Sequence, residues 1–334
     1  APGAQEDPVK AIQNLPGVAN QSFSSQIVIQ GSEPDDTRYT INGHEIPLIF
    51  HFGGLTSVVT PTAVKDVEFL AAGFGPEYGR ALGGIINLNT KKAKTDRWHG
   101  EGFLDITKLG VLTEGPLSDK SSLVASARIS YFGKVIEKVA EEMDDFGVTA
   151  APEFQDYYVN YEYEISKDER FSLVAISSKD TLELIVKEGN DPNIEGDISN
   201  TTTFSRVIPR YIKIINEKTK LDISLAAGTD SLNFKLGERF FDLNSTILTQ
   251  RGEVEYKYNE KLTNYIGTDI QWRKFDLDIL FPNRSSGGGV NSGGGNATFA
   301  SLSGENTETA IYSRNTYKFS DKLTLSPNLR AEYF

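Results

Sequence analysis

From Trp98 onward, apolar and polar side chains alternate with a period of two. Tyr157, Val159, Tyr161, Tyr163 and Ile165 interleave with Tyr158, Asn160, Glu162, Glu164 and Ser166. Val254, Tyr256 and Tyr258 interleave with Glu253, Glu255 and Lys257 in the same way. Each segment therefore has one apolar, aromatic face and one polar, acidic face, which predicts amphipathic β-strands. Short polar turns recur at Ser118-Asp119-Lys120, Ser166-Lys167-Asp168-Glu169, Asn216-Glu217-Lys218, Asn259-Glu260-Lys261 and Ser320-Asp321-Lys322. Their spacing of roughly 45–60 positions holds two long strands and a second, longer connection. The longer connections fall at about 133–152, 187–201, 237–245 and 282–307, the last rich in Gly and Ser and expected to be mobile. Short turns on one rim and long loops on the other predict antiparallel transmembrane barrel strands, about ten of them, the tenth starting at Leu323. A soluble β-sandwich or β-solenoid is the competing architecture, and strand length, Tyr and Phe content and the two-rim asymmetry favour the barrel.

Residues 1–94 follow a different grammar, that of a small α/β module. Asp7-Pro8 followed by Val9, Ala11, Ile12 and Leu15 predicts a short helix ended by Pro16-Gly17. Gln26–Gln30 is a strand candidate, and Arg38–Ile41 runs through Asn42-Gly43, the strongest hairpin signal, into Glu45-Ile46-Pro47. Pro61, Ala63, Val64 and Val67 suggest a second short helix before Glu68-Phe69-Leu70, and Ile85–Asn89 is the closing strand.

Composition excludes several classes. No window supplies the roughly 20 apolar residues of a spanning helix. Ala1-Pro2-Gly3 lacks the pattern of a signal peptide, as a mature, cleaved chain would. Cys is absent and His numbers 3, which leaves no thiolate chemistry and little for a metal. A net charge of −12 opposes binding to nucleic acid and slightly disfavours a strongly anionic ligand. Gly73-Phe74-Gly75 does not sit between a strand and a helix of a βαβ unit, and no Gly-x-Ser-x-Gly occurs. The reading is a non-enzyme with no catalytic residues, no metal site and no cofactor.

Three stretches carry a family resemblance. They are Asp7–Val18; Ile27–Gly31 continuing to Tyr39–Pro47; and Val67–Leu70 continuing through Gly75-Pro76-Glu77-Tyr78-Gly79-Arg80-Ala81-Leu82-Gly83-Gly84 to Ile85–Lys91. Together they resemble the plug domain of TonB-dependent outer-membrane receptors and transporters. The resemblance implies a mainly β fold, with a small α/β plug at 1–94 and the N-terminal part of an outer-membrane β-barrel at 95–334. About ten of an expected 22 strands would be present. It also implies the outer membrane of a Gram-negative-type bacterium and outer-membrane lipid around the wall. An extracellular ligand, whether small molecule, oligosaccharide or peptide, would be admitted to the periplasm by plug displacement. TonB would be the energy-coupling partner, through a segment not visible before Asp7, and a further C-terminal barrel segment or second chain would complete the barrel. The competing function is a non-transporting adhesion or assembly protein of the same architecture.

The family's usual Arg-Gly-Pro is altered here to Ala71-Ala72-Gly73-Phe74-Gly75-Pro76, so an arginine that often pairs with barrel carboxylates is missing. Arg80 is the available substitute, or else an ordinary surface arginine. By resemblance, the plug's apical loops bring Ser22, Phe23, Phe50, His51, Phe52, Glu77, Tyr78 and Arg80 towards the ligand. Packing of the aromatics on the barrel wall and simple solvation of the polar groups are the alternatives. His44 and His51 share no register that would hold a metal. The acidic run Glu137, Glu141, Glu142, Asp144 and Asp145 lacks calcium-loop spacing and reads as a solvated face.

Overall fold

The computed structural model describes residues 7–20, 26–54, 56–141, 148–186, 198–282 and 297–334. Asp7 sets the entry of the N-terminal module, its Oδ1 accepting from the Val9 amide at 3.0 Å and the Lys10 amide at 3.3 Å. Only a 3-10 turn over Lys10–Asn14 follows, not the longer helix expected. Leu15, which precedes proline, is extended (φ −79, ψ 148). Strands β1 (Val18–Asn20) and β2 (Ile27–Ile29) pair as a two-stranded ribbon.

Next come β3 (Thr37–Ile41), β4 (His44–Ile46), β5 (Val64–Leu70) and β6 (Gly84–Thr90), in the sheet order β4-β3-β6-β5. The β3–β4 hairpin turns on Asn42 (φ 50) and Gly43 (φ 86), the paired positive angles of a type I′ turn. The second expected helix is only a 3-10 turn over Pro61–Ala63. Val64 and Val67 lie in β5, where β-branched side chains fit better than on a helix. Strand β6 runs parallel to β3 and antiparallel to β5, with Ile85, Ile86 and Leu88 fully buried.

The remaining strands form one antiparallel wall: β7 (His99–Leu104), β8 (Lys108–Ser118), β9 (Ser121–Ser130), β10 (Val148–Ser166), β11 (Glu169–Val186), β12 (Ile198–Asn216), β13 (Thr219–Leu236), β14 (Arg239–Lys257), β15 (Leu262–Pro282), β16 (Ala297–Ser320), β17 (Leu323–Leu325) and β18 (Asn328–Tyr333). Helix α1 (Phe132–Glu141) lies between β9 and β10. Strands β17 and β18 both pair with β16, as one strand broken before Asn328. The wall of 12 assigned strands therefore counts about eleven crossings, one more than expected. The extra strand comes from residues 98–118, which fold back on themselves. Asp105 Oδ1 accepts from the amides of Thr107 (2.7 Å) and Lys108 (2.9 Å), closing that turn.

The connection expected at 237–245 is likewise a tight hairpin. Leu236 pairs with Arg239, and Gly237 takes φ 56 at the first turn position, so the residues from Arg239 onward belong to β14. Strands β10, β12 and β16 also begin inside the long connections expected before them. The Gly-rich stretch 283–296 and the acidic positions Glu142, Asp144 and Asp145 lie outside the described residues.

The wall is apolar outside, and its inner face mixes polar side chains with an apolar patch against the module. Tyr157 (52% exposed) and Ile266 (56%) face outward, while Asp156 (3%), one position before, and Asp269 (2%), three positions after, are covered by the module. A single-residue slip would reverse every such position, so the alternation fixes the register. Outward Leu248, Val254, Tyr256 and Tyr258 span about ten residues, the length of tilted strand that crosses a bilayer core. No described helix is long and apolar enough to cross a membrane.

Candidate functional site

The site is the seam between the N-terminal module and the inner face of the wall. Two module histidines reach it at different strands. His44, next to the type I′ turn, places Nδ1 2.7 Å from Thr249 Oγ1 on β14 and Nε2 2.8 Å from Ser224 Oγ on β13. A neutral ring donates through one nitrogen and accepts through the other, which two hydroxyls satisfy. Burial first, and then the charge of Arg251, push its pKa down to about 3.

His51 instead sits between carboxylates. Its Nε2–H donates to Asp156 Oδ2 on β10 (2.8 Å) and its Nδ1–H to Asp180 Oδ1 on β11 (2.6 Å), with the ring stacked on Phe154 at 3.8 Å. Burial by itself would lower its pKa. Asp156 and Asp180 outweigh that and raise it to about 9, so the ring is a buried cation at neutral pH. Arg128 on β9 completes the cluster, donating through Nη2 to Asp156 Oδ2 (2.7 Å) and to the Ser57 carbonyl (2.6 Å).

Other wall arginines also seize backbone carbonyls of the module. Arg206 Nε donates to Glu45 O (2.9 Å) while its Nη atoms hold Asp230. Arg251 donates through Nη1 to Gly43 O and through Nη2 to Glu77 O, both at 2.7 Å. Arg330 Nη1 donates to Pro76 O (2.9 Å). Carbonyls at turns and along the outer side of the edge strand β4 have no sheet partner, and a guanidinium offers several donors in a fixed fork, so it can tie such a carbonyl while pairing with a carboxylate.

Among the residues singled out from sequence, Arg80 stands in the left-handed region (φ 62), its Nη2 3.0 Å from Asp269 Oδ2 and its Nε 3.6 Å from Glu308 Oε2. It thus pairs with wall carboxylates, as the substitute arginine would. Its carbonyl accepts from Arg38 Nε. Glu77 Oε1 accepts from Arg314 Nη1 (2.8 Å), and the Tyr78 hydroxyl donates to Glu68 Oε2 (2.9 Å) beneath Arg251. Phe50 is fully buried in the core and Phe52 is half-buried. Ser22 and Phe23 lie outside the described residues. The structure thus brings Glu77, Tyr78 and Arg80 to one part of the seam and His51 to another.

Residues 4–85 match the family model described as the TonB-dependent Receptor Plug Domain. The chain carries a TonB-dependent receptor plug. The curated TonB-dependent transporter Oar of Myxococcus xanthus is 29% identical over 112 residues, 32% of this chain and 10% of that protein. Crystal structures give the fold. A ferric enterobactin receptor (PfeA) mutant from Pseudomonas aeruginosa matches with TM-score 0.68 and 16% identity over 98% of this chain and 55% of its own. P. aeruginosa FpvA, bound to a heterologous pyoverdine, matches with TM-score 0.69 and 13% identity over 97% of this chain and 49% of its own. The ferric-catecholate import receptor Fiu of Escherichia coli matches with TM-score 0.65 and 14% identity over 96% and 56%. This chain therefore spans about half the length of these solved receptors and a tenth of Oar. Plug plus antiparallel barrel strands is the architecture, and TonB-dependent receptors are outer-membrane receptors and transporters, not enzymes.

The wall arginines were missed in the sequence, although a signal existed. On strands whose outward parity is set by Val207 or by Val254 and Tyr256, Arg206 and Arg251 fall on inward positions, where a charged side chain requires a partner.

Proposed function

We propose that the chain is the plug, dividing near residue 94, and the first part of the barrel of an outer-membrane TonB-dependent transporter. An extracellular ligand is captured above the plug and enters the periplasm when TonB-driven force moves the plug from the wall. The observation that supports this most is the chemistry of the seam. The plug is held largely by hydrogen bonds and ion pairs to arginines, histidines and carboxylates, and water can replace such contacts when the plug shifts. Sheet edges left unpaired at β7 and along β16 and β18 are costly in lipid, so the barrel closes with further strands, from a later segment or a second chain. Arg80, Glu77 and Tyr78, next to the cavities of the seam, are the site residues closest to a route for ligand.

Membrane fractionation of the full-length protein should place it in the outer membrane, and the purified protein should bind the periplasmic domain of TonB. Surface attachment that persists without any TonB binding would favour the adhesion reading and overturn this one.

A further inference from the structure

The two halves of the seam differ in how they are sealed. On the β8–β12 side, Leu112, Val124, Tyr158, Val174, Ile176 and Phe204 of the wall join the plug's own core around Phe50, Val58 and Val59. That apolar packing adds to the buried polar contacts of His51, Arg128 and Asp156 on the same side. On the β13–β16 side, open cavities lie between plug and wall. An upper one of about 320 Å³ is lined by Arg38, Arg80, Gln271, Arg273, Asn306 and Glu308. A lower one of about 280 Å³ is lined by Asn42, Glu68, Asn89, Asp222, Ser224 and Glu253 among others. The strand register places the upper cavity further from the short turns than the lower one, since Gln271 and Arg273 lie well along β15 from its start at Leu262, whereas Asp222 and Ser224 lie just after the turn before Thr219.

Between them is a neck of about 20 Å³. It shares Arg38, Arg80 and Gln271 with the upper cavity and Gly43, Tyr78 and Arg251 with the lower one. A volume of that size admits about one water. Arg251 is one of the side chains that close it. Arg251 bridges two separate plug segments through Gly43 O and Glu77 O, and its guanidinium lies 5.6 Å from the Tyr78 ring centroid. Gly43 permits this approach, because a Cβ there would lie 3.3 Å from Arg251 Nη1. Beside the neck, Gln271 Oε1 and Arg273 Nε are buried without a hydrogen-bond partner while the plug is docked.

We infer that, along the wall strands of this chain, a polar solute passes the plug between plug residues 38–45 and 77–80 and wall strands β13–β16, with Arg251 at the neck. This rests on the transport reading above. Release of two carbonyls by Arg251 loosens the neck between the upper and lower cavities, whereas opening the β8–β12 side also exposes packed apolar surface to water.

Residues 1–334 contain no cysteine, so an introduced one reports its own position against the unmodified protein as background. Ser224→Cys and Ser126→Cys form a matched pair in the full-length protein. Both serines are wall residues, 6% and 8% exposed, and each hydrogen-bonds the plug, Ser224 through His44 and Ser126 through Thr60. A sulfonated, membrane-impermeant maleimide is added outside to living cells, with and without a protonophore. With the proton gradient intact, Ser224→Cys should react about tenfold faster than Ser126→Cys, the difference expected when one side gives up hydrogen bonds and the other keeps its core. Adding Arg251→Gln should raise the de-energised rate at Ser224→Cys by about tenfold and leave Ser126→Cys within about twofold. The energised comparison needs no change at Arg251, so it stands even if that variant folds poorly. Equal acceleration at both cysteines would mean that the plug leaves the wall as a whole, which overturns the one-sided route but keeps transport. No response to energy at either site would overturn the transport reading itself.

Discussion

The two histidines that join plug to wall are chemically opposite. His51, on the β10–β11 side, is a buried cation held by two carboxylates and backed by Arg128; His44, on the β13–β14 side, is a buried neutral ring between two hydroxyls. The residue type and the degree of burial are the same, and only the wall groups differ. A histidine's charge state in this seam is therefore set by the strand it meets. The charged contact lies beside the apolar seal and the neutral one beside the cavities, so the plug has an anchored side and a yielding side.

The largest expected effect tests the anchor. Arg128→Ala leaves Asp156 and the Ser57 carbonyl short of a buried donor, and should cost about 3–5 kcal/mol of plug docking. The urea concentration at which the plug becomes protease-sensitive in the folded barrel measures this. Arg251→Gln, which loses charged hydrogen bonds beside cavities that water can fill, should shift that midpoint less. An equal shift would erase the distinction between the two sides.

Acidity separates the two sides further. The pKa of His51 is raised from about 6.5 in the unfolded chain to about 9, so its contribution is full below about 6.5 and is lost as pH rises through 9. His44 is lowered to about 3, so its contribution is full above about 6.5 and is lost as pH falls towards 3. The His51 contribution is on the order of 3 kcal/mol. Docking stability followed against pH should lose its alkaline slope in His51→Gln and part of its acid slope in His44→Gln. Exchanged or unchanged slopes would contradict the assignment.

The smallest expected effect sits at the hairpin. Gly43→Ala meets both a positive φ and Arg251 Nη1, and should cost about 1–2 kcal/mol with most of it on the cavity side. Arg251→Gln in the same chain should reduce that cost, since the crowded guanidinium is gone; a double-mutant cycle on the urea midpoint checks the coupling.

Much of this architecture is legible in the sequence. Period-two alternation on Tyr157–Ile165 and Val254–Tyr258 named the strands and their faces, and Asn42-Gly43 named the hairpin, because side-chain period and turn angles are local properties of the backbone. Local patterns were weaker where two structures share a signal. Polar residues at 237–245 read as a loop, yet a two-residue turn at Gly237-Glu238 and cross-strand pairing made most of them strand. Asp105 likewise hid a hairpin inside what looked like one strand.

The partners of the seam lay beyond any local pattern. Nothing near His51 announces Asp156 and Asp180, more than a hundred positions away, and nothing near Gly43 announces Arg251. The sequence by itself determined which faces are apolar, where the chain turns and which family the plug resembles, since each of these depends on neighbours within a few residues. Only the tertiary structure decided which histidine is charged, which arginine holds which carbonyl, and on which side the plug is packed or open. Those outcomes depend on distances and burial between strands that come together only when the wall curves round the plug.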